Sequence, residues 1–159
     1  MTEFSEGDIE GVLVRSLRFH HDQRGWLTEL YRKDEVDREL FPAMAYVSMT
    51  RPGVARGPHE HREQADCFVF FSSAFDLFLW DAREGSPTGA HKSVLRLGRE
   101  NPTLVVVPPG VVHAYRNVGA EDGLVLNFPN RLYAGWGKGE PVDEVRYEGD
   151  PSSPYRLEP

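Results

Sequence analysis

The sequence predicts an all-β fold, a jelly-roll sandwich or barrel built around a central ligand cavity. Short β-rich runs recur at roughly ten-residue spacing, turn-forming residues bound almost every run, and no long stretch repeats apolar residues at helical period. The runs are Gly11 to Leu17, Trp26 to Tyr31, Met44 to Met49, Cys67 to Phe71, Phe75 to Trp80, Val94 to Leu97, Leu104 to Val107 and Leu124 to Phe128. Gly25 precedes the second, Pro42 the third, Ser72 and Ser73 separate the fourth from the fifth, and Pro108-Pro109-Gly110 follows the seventh. One helical turn is expected over Lys33 to Leu40, capped by Asp34 and stopped before Pro42. Beyond Gly135 the pattern weakens to a loop, a late strand over Val142 to Tyr147, and a tail held extended by Pro151, Pro154 and Pro159. Residues 1–159 therefore read as a single domain with 135–159 as a loop-rich C-terminal segment.

Composition narrows the function. Eighteen Lys and Arg against 25 Asp and Glu give a net charge of −7, which leaves no broad basic surface for nucleic acid. The single cysteine, Cys67, excludes an intrachain disulfide and a zinc ribbon, and its expected role is that of a small buried hydrophobe. No apolar run approaches the ~18 residues of a membrane span, and the acidic start of the chain lacks the apolar stretch of a signal peptide. A cytoplasmic protein with no membrane partner is expected.

Chemistry concentrates in the histidines. His59 and His61 are two residues apart, a spacing that turns both imidazoles to one face of a strand. Asp66 follows, and far downstream comes Pro108-x-Gly110-x-x-His113-x-x-x-Asn117. Gly53, His59, His61 and Asp66 with this second element resemble the two signature motifs of the cupin superfamily, with Asp66 in place of the usual glutamate and Ser73 in place of a usual glycine. Three imidazoles and a carboxylate, His59, His61, Asp66 and His113, form a donor set suited to Fe, Mn, Ni or Zn. His20, His21 and His91 are expected at the surface or in hydrogen bonds.

A narrower set of motifs occurs in one order: Asp22-x-Arg24-Gly25-Trp26-x-x-Glu29, Gly53-Val54-Ala55-Arg56-Gly57-x-His59, Asp81-x-Arg83-x-x-Ser86-Pro87-Thr88, and Glu100-Asn101 ahead of Pro108. From about Ile9 to Asp150 the chain is similar to the dTDP-4-dehydrorhamnose 3,5-epimerases, jelly-roll cupins that act as homodimers without a metal. The resemblance implies a nucleotide-activated 4-keto-6-deoxysugar as substrate. Hydrogens on carbons α to its ketone are acidic enough for a positioned base. It further implies His59 as that base and Tyr133 as the proton donor on the opposite face, with Arg56 and His113 as polar anchors. Arg24, Trp26 and Glu29 would contact the nucleotide from an N-terminal strand that crosses to the partner subunit. Arg83 with Asp81 is expected as a structural ion pair.

The chain departs from that family in three places. Where a lysine is usual, the segment reads Gln64-Ala65-Asp66-Cys67-Phe68-Val69, with Cys67 at the lysine's position and no cation for the enolate. The C-terminal aspartate that steadies the base has no counterpart before Pro159, leaving Asp66 or another carboxylate to orient His59. His61 stands where glutamine is usual, and Tyr46 and Ser48 where Gln and Asn are common. These departures keep two alternatives in view: a metal-dependent cupin acting on a small polar or sugar-derived substrate, and a sugar-nucleotide binding protein without chemistry.

Overall fold

Fifteen glycines and twelve prolines cut the chain into short extended pieces, and the computed structural model, which describes residues 3–158, pairs those pieces into two facing sheets. Among the described residues thirteen strands are present: β1 (Ser5–Glu6), β2 (Leu13–Ser16), β3 (Phe19–Asp22), β4 (Gly25–Thr28), β5 (Tyr46–Thr50), β6 (Ala55–Glu60), β7 (Asp66–Phe70), β8 (Ala74–Asp81), β9 (His91–Gly98), β10 (Thr103–Val107), β11 (Val111–Asn117), β12 (Gly123–Asn127) and β13 (Val145–Arg146). One sheet runs β1-β9-β8-β11-β6-β13, the other β2-β10-β7-β12-β5, and β3 with β4 forms a separate hairpin. All pairings are antiparallel except that of β1 with β9.

Alternation along the strands decides what faces the interior. Phe75, Leu77 and Leu79 of β8, Val105 and Val107 of β10, and Phe68 and Phe70 of β7 meet Tyr115 and Val125 in one buried cluster between the sheets. The alternate residues face outward and are covered by other segments. Cys67, Val69, Leu104 and Val106 pack under Leu13, Leu17, Leu30 and Leu40. Phe78, Trp80, Val112 and Ala114 pack under Phe4, Tyr147, Tyr155 and Leu157. Each buried aromatic or aliphatic side chain contributes about 1.5–3 kcal/mol to holding the sheets together.

Several expectations are revised. The segments Ala55 to Glu60 and Val111 to Asn117 are strands that the run pattern omitted; they carry His59 and His113, and His61 follows directly after the first. Phe19 to Asp22 is also a strand, paired with β4 through a turn at Gln23 and Arg24. The helical turn shrinks to a 3₁₀ turn at Arg38–Leu40, preceded by Asp37 without a side-chain cap, so Asp34 caps nothing there and instead pairs with Arg32. The late strand is only Val145–Arg146. Among the described residues the C-terminal segment is irregular outside Val145–Arg146 and a 3₁₀ turn at Trp136–Lys138, yet it packs closely: Tyr147 and Tyr155 stack edge-on at 4.8 Å, and Arg116 donates to the Leu157 carbonyl at 3.1 Å; Pro159, expected to help hold the tail extended, lies outside the described residues.

Candidate active site

The apolar cluster fills one end of the interior, and at the other end the inward positions turn polar. On β7 the alternation that sends Phe68 and Phe70 inward sends Asp66 inward too, while Cys67 faces the opposite side among leucines. The residue opposite the site is therefore a carboxylate, not the thiol at the lysine's position.

His59 is brought to this end by a close approach of backbones. Gly57 sits at φ +86°, and a Cβ there would lie 2.6 Å from the His113 carbonyl oxygen. Only glycine lets β6 lie this tightly on β11, and the register that results sets His59 opposite His113. Their rings meet edge-on at 4.5 Å, and His61 is 5.6 Å from His59. The ligand-capable atoms of His59, His61, Asp66 and His113 all lie within 4.8 Å of one another.

Hydrogen bonds fix which ring nitrogens face the cluster. His113 Nδ1 contacts the Val111 carbonyl at 3.0 Å, and His61 Nδ1 contacts the Asp143 carbonyl. A carbonyl only accepts, so both Nδ1 atoms carry the proton. Both Nε2 atoms then face Asp66 Oδ2, at 3.1 and 3.2 Å. The other carboxylate oxygen accepts from Gln64 and Asn127, each at 2.9 Å. An unprotonated His61 Nε2 against this carboxylate would repel, so the arrangement calls for a proton on that nitrogen. Burial pulls the His61 imidazole down, but the hydrogen bond and charge of Asp66 outweigh it and raise its pKa to about 9. Burial also opposes ionisation of Asp66, yet His113 and His61 hold it well below the usual carboxylate range. His59 is the opposite case. Burial first, then the neighbouring His113 and His61, depress it to about 3, so it is a neutral base at pH 7.

The C-terminal segment completes the site. β13 pairs with β6, Arg146 opposite His59 and Val145 opposite Glu60. This brings Glu144 Oε1 and Glu148 Oε1 each to 3.9 Å from His59 Nδ1. Glu148 also accepts the Gly57 N–H, and Asp143 accepts the N–H groups of Arg62, Glu63 and Gln64, each at 2.9 Å. The sequence reading found no carboxylate beyond the barrel to orient His59; the structure supplies two. No short motif marks them, because their contact depends on a strand pairing some 85 residues distant.

The cavity in front of His59 measures about 1570 Å³, more than a single hexose fills. His59, His61, Arg56, Tyr46, Tyr115, Tyr133 and Trp136 line it. Arg56 reaches across to the other sheet, donating to Thr50 Oγ1 at 3.0 Å and the Met49 carbonyl at 2.9 Å. Tyr133 stands exposed at the mouth. His113 is only 2% exposed and sits behind His59, so it is a backing residue and not the anchor on the cavity wall that was expected. Arg24, Trp26 and Glu29 are not part of the lining. Arg24 pairs with Asp22, Trp26 packs on Phe19 at 4.6 Å, and Glu29 pairs with Arg32. Asp81, with Arg83, Ser86 and Thr88 bonded to it, is a buried structural knot away from the cavity.

Comparison with known proteins points the same way. The family model for dTDP-4-dehydrorhamnose 3,5-epimerase matches residues 6–134. The probable low-salt glycan biosynthesis epimerase Agl13 of Haloferax volcanii is 38% identical over 127 residues, covering 79% of this chain and 81% of the relative. The spore coat polysaccharide biosynthesis protein SpsL of Bacillus subtilis is 36% identical over 125 residues, covering 79% and 82%. Among solved structures, a dTDP sugar isomerase from Desulfovibrio desulfuricans G20 superposes with a TM-score of 0.81 at 23% identity, over 93% of this chain and 91% of that one, which supports the jelly-roll cupin fold. The strap carrying Glu144 and Glu148 lies beyond the family match.

Proposed function

The chain belongs to the dTDP-4-dehydrorhamnose 3,5-epimerase family, and from that membership we propose that its cavity epimerises a nucleotide-activated 4-keto-6-deoxysugar by moving a proton α to the ketone. The single observation that carries the assignment is His59: a neutral imidazole on the cavity wall, its Nδ1 side faced by two carboxylates. His59 takes the α hydrogen, and the two glutamates stabilise the imidazolium that forms. Electron density moves to the ketone oxygen as an enolate. His61, held cationic by Asp66 and present on the cavity wall, supplies the positive charge that the family draws from a lysine. Arg56 binds the phosphates or the sugar from the same wall. Tyr133 returns a proton at the mouth. Residues 1–159 act as one unit, with 135–159 as a wall of the site.

The protein works as a homodimer in which the hairpin of β3 and β4 presents Arg24, Trp26 and Glu29 to the partner's nucleotide. Support comes from the exposed Trp26 and Leu27 on that hairpin and from Val47, Met49 and Leu124 exposed at the β5 edge. Its expected location is the cytoplasm, where sugar nucleotides are made; no described helix is long and apolar enough to cross a membrane.

To test the reaction, the protein is incubated with dTDP-4-keto-6-deoxyglucose in D₂O and C3 and C5 are followed by NMR. Deuterium uptake is expected in the wild type and should fall by about 10²–10⁴-fold in His59→Asn; absence of uptake in the wild type refutes the reading. One observation favours a metal-dependent alternative: His113 Nε2 is buried and lies 3.1 Å from Asp66 Oδ2 without an aligned hydrogen bond, in a cluster whose four donors fit a divalent ion. In that case His59, His61, Asp66 and His113 would hold the ion, which would act as a Lewis acid on the ketone. The cofactor-free reading expects untagged protein to carry less than about a tenth of an equivalent of Fe, Mn, Ni or Zn.

A further inference from the structure

Of the tyrosines that line the cavity, Tyr46 differs from Tyr133 in being held from within. Tyr46 opens β5 and stands in register with Asn127 at the end of β12. Asn127 is fully buried, and all its polar atoms are committed. One side-chain N–H donates to the Tyr46 hydroxyl oxygen at 2.8 Å and the other to Asp66 at 2.9 Å, while its carbonyl oxygen accepts the Cys67 N–H at 3.0 Å. An amide NH₂ offers no lone pair, so the tyrosine oxygen is the acceptor in this contact. Its own hydrogen is left free, and among the described residues no acceptor receives it. Tyr46 comes from the five-stranded sheet and His59 from the six-stranded sheet, and both line the one cavity.

We infer that Tyr46 is a further catalytic residue, a second proton donor that serves one of the two α carbons on the face opposite His59 while Tyr133 serves the other. This rests on the epimerase reading above. In the forward half-step His59 takes the hydrogen as a proton, and the C–H electron pair becomes the enolate. In the return half-step the ketone reforms, the α carbon takes the Tyr46 hydrogen, and the O–H pair remains on oxygen as phenolate. The Asn127 N–H already points at that oxygen and stabilises the charge. Solvent then restores one proton to the phenolate and takes one from the imidazolium, so the site returns to its starting state. Burial raises the Tyr46 phenol to about 12, which keeps it protonated and ready to donate at neutral pH.

The test separates exchange from inversion. With the same ketosugar in D₂O, Tyr46→Phe should retain His59-driven exchange within about tenfold while inverted product at one of the two carbons falls by about 100-fold or more. Inversion at both carbons within about threefold of wild type overturns the assignment. So does a parallel loss of exchange and inversion, which marks Tyr46 as a structural prop. Site-specific 3-fluorotyrosine at position 46, a more acidic phenol of nearly the same size, gives a check without loss of the ring. It should move the alkaline limb of the inversion rate to lower pH, and an unmoved limb counts against the proposal. A wild type inert toward this sugar overturns the epimerase reading and Tyr46's role together, whereas an active wild type with an unaffected Tyr46→Phe overturns only the latter.

Discussion

A histidine that is to accept a proton from carbon needs its far nitrogen faced by something that welcomes the resulting charge, and at His59 this falls to Glu144 and Glu148. At 3.9 Å neither is a hydrogen bond in the resting site, so their effect should emerge as charge develops on the ring. Glu148→Gln and Glu144→Gln are each expected to lower kcat on the order of tenfold, with KM changed by less than about threefold. Steady-state kinetics of the two variants and their double form check this; a KM effect alone would place the glutamates in substrate binding. The pairing of His59 with His61, Asp66 and His113 was legible because strand alternation has a period of two and the motif spacing obeys it. The glutamates were not legible, since nothing local to 144–148 says which strand β13 will join. His113 was legible as a site residue but not as a buried one, because spacing gives the face of a strand and not how much lies in front of it.

Strands announce themselves by apolar alternation, and β8 and β10 did so. β6 reads Ala-Arg-Gly-Pro-His-Glu, with a glycine and a proline that signal a turn. It is a strand because Gly57 allows tight contact with β11 and because β11 and β13 flank it. At the other edge of the molecule β5 has no partner beyond β12 among the described residues. Its outward residues Val47 and Met49, with Leu124 beside Met49 in register, are exposed. An edge strand with an apolar outer face invites pairing with another copy. Met49→Lys is expected to weaken self-association by at least about tenfold while leaving the circular dichroism spectrum unchanged. Sedimentation velocity over a concentration series decides it. A wild type that sediments as a monomer, or a variant that remains dimeric at the same concentrations, removes β5 from the interface.

Across the whole molecule the interior is divided into an apolar end that carries stability and a polar end that carries chemistry, and this division makes stability depend on pH in two directions. His59 is depressed from 6.5 to about 3 by burial and by its two imidazole neighbours. The unfolded chain then binds a proton that the folded one refuses, so stability present above pH 6.5 is lost as the pH falls toward 3. His61 is raised to about 9, Asp66 outweighing burial. The folded chain holds a proton that the unfolded one has released, so stability present below pH 6.5 is lost as the pH rises through 9. At about 1.4 kcal/mol per unit the two shifts correspond to upper bounds of roughly 5 and 3 kcal/mol, reduced by relaxation of the site. Urea unfolding from pH 4 to 10 should therefore give maximum stability near pH 6–7. His61→Gln should flatten the alkaline side and His59→Asn the acid side. A wild type whose stability is level from pH 6.5 to 9 would mean that the charge between His61 and Asp66 is not a proton, and would turn attention to a metal ion held in its place.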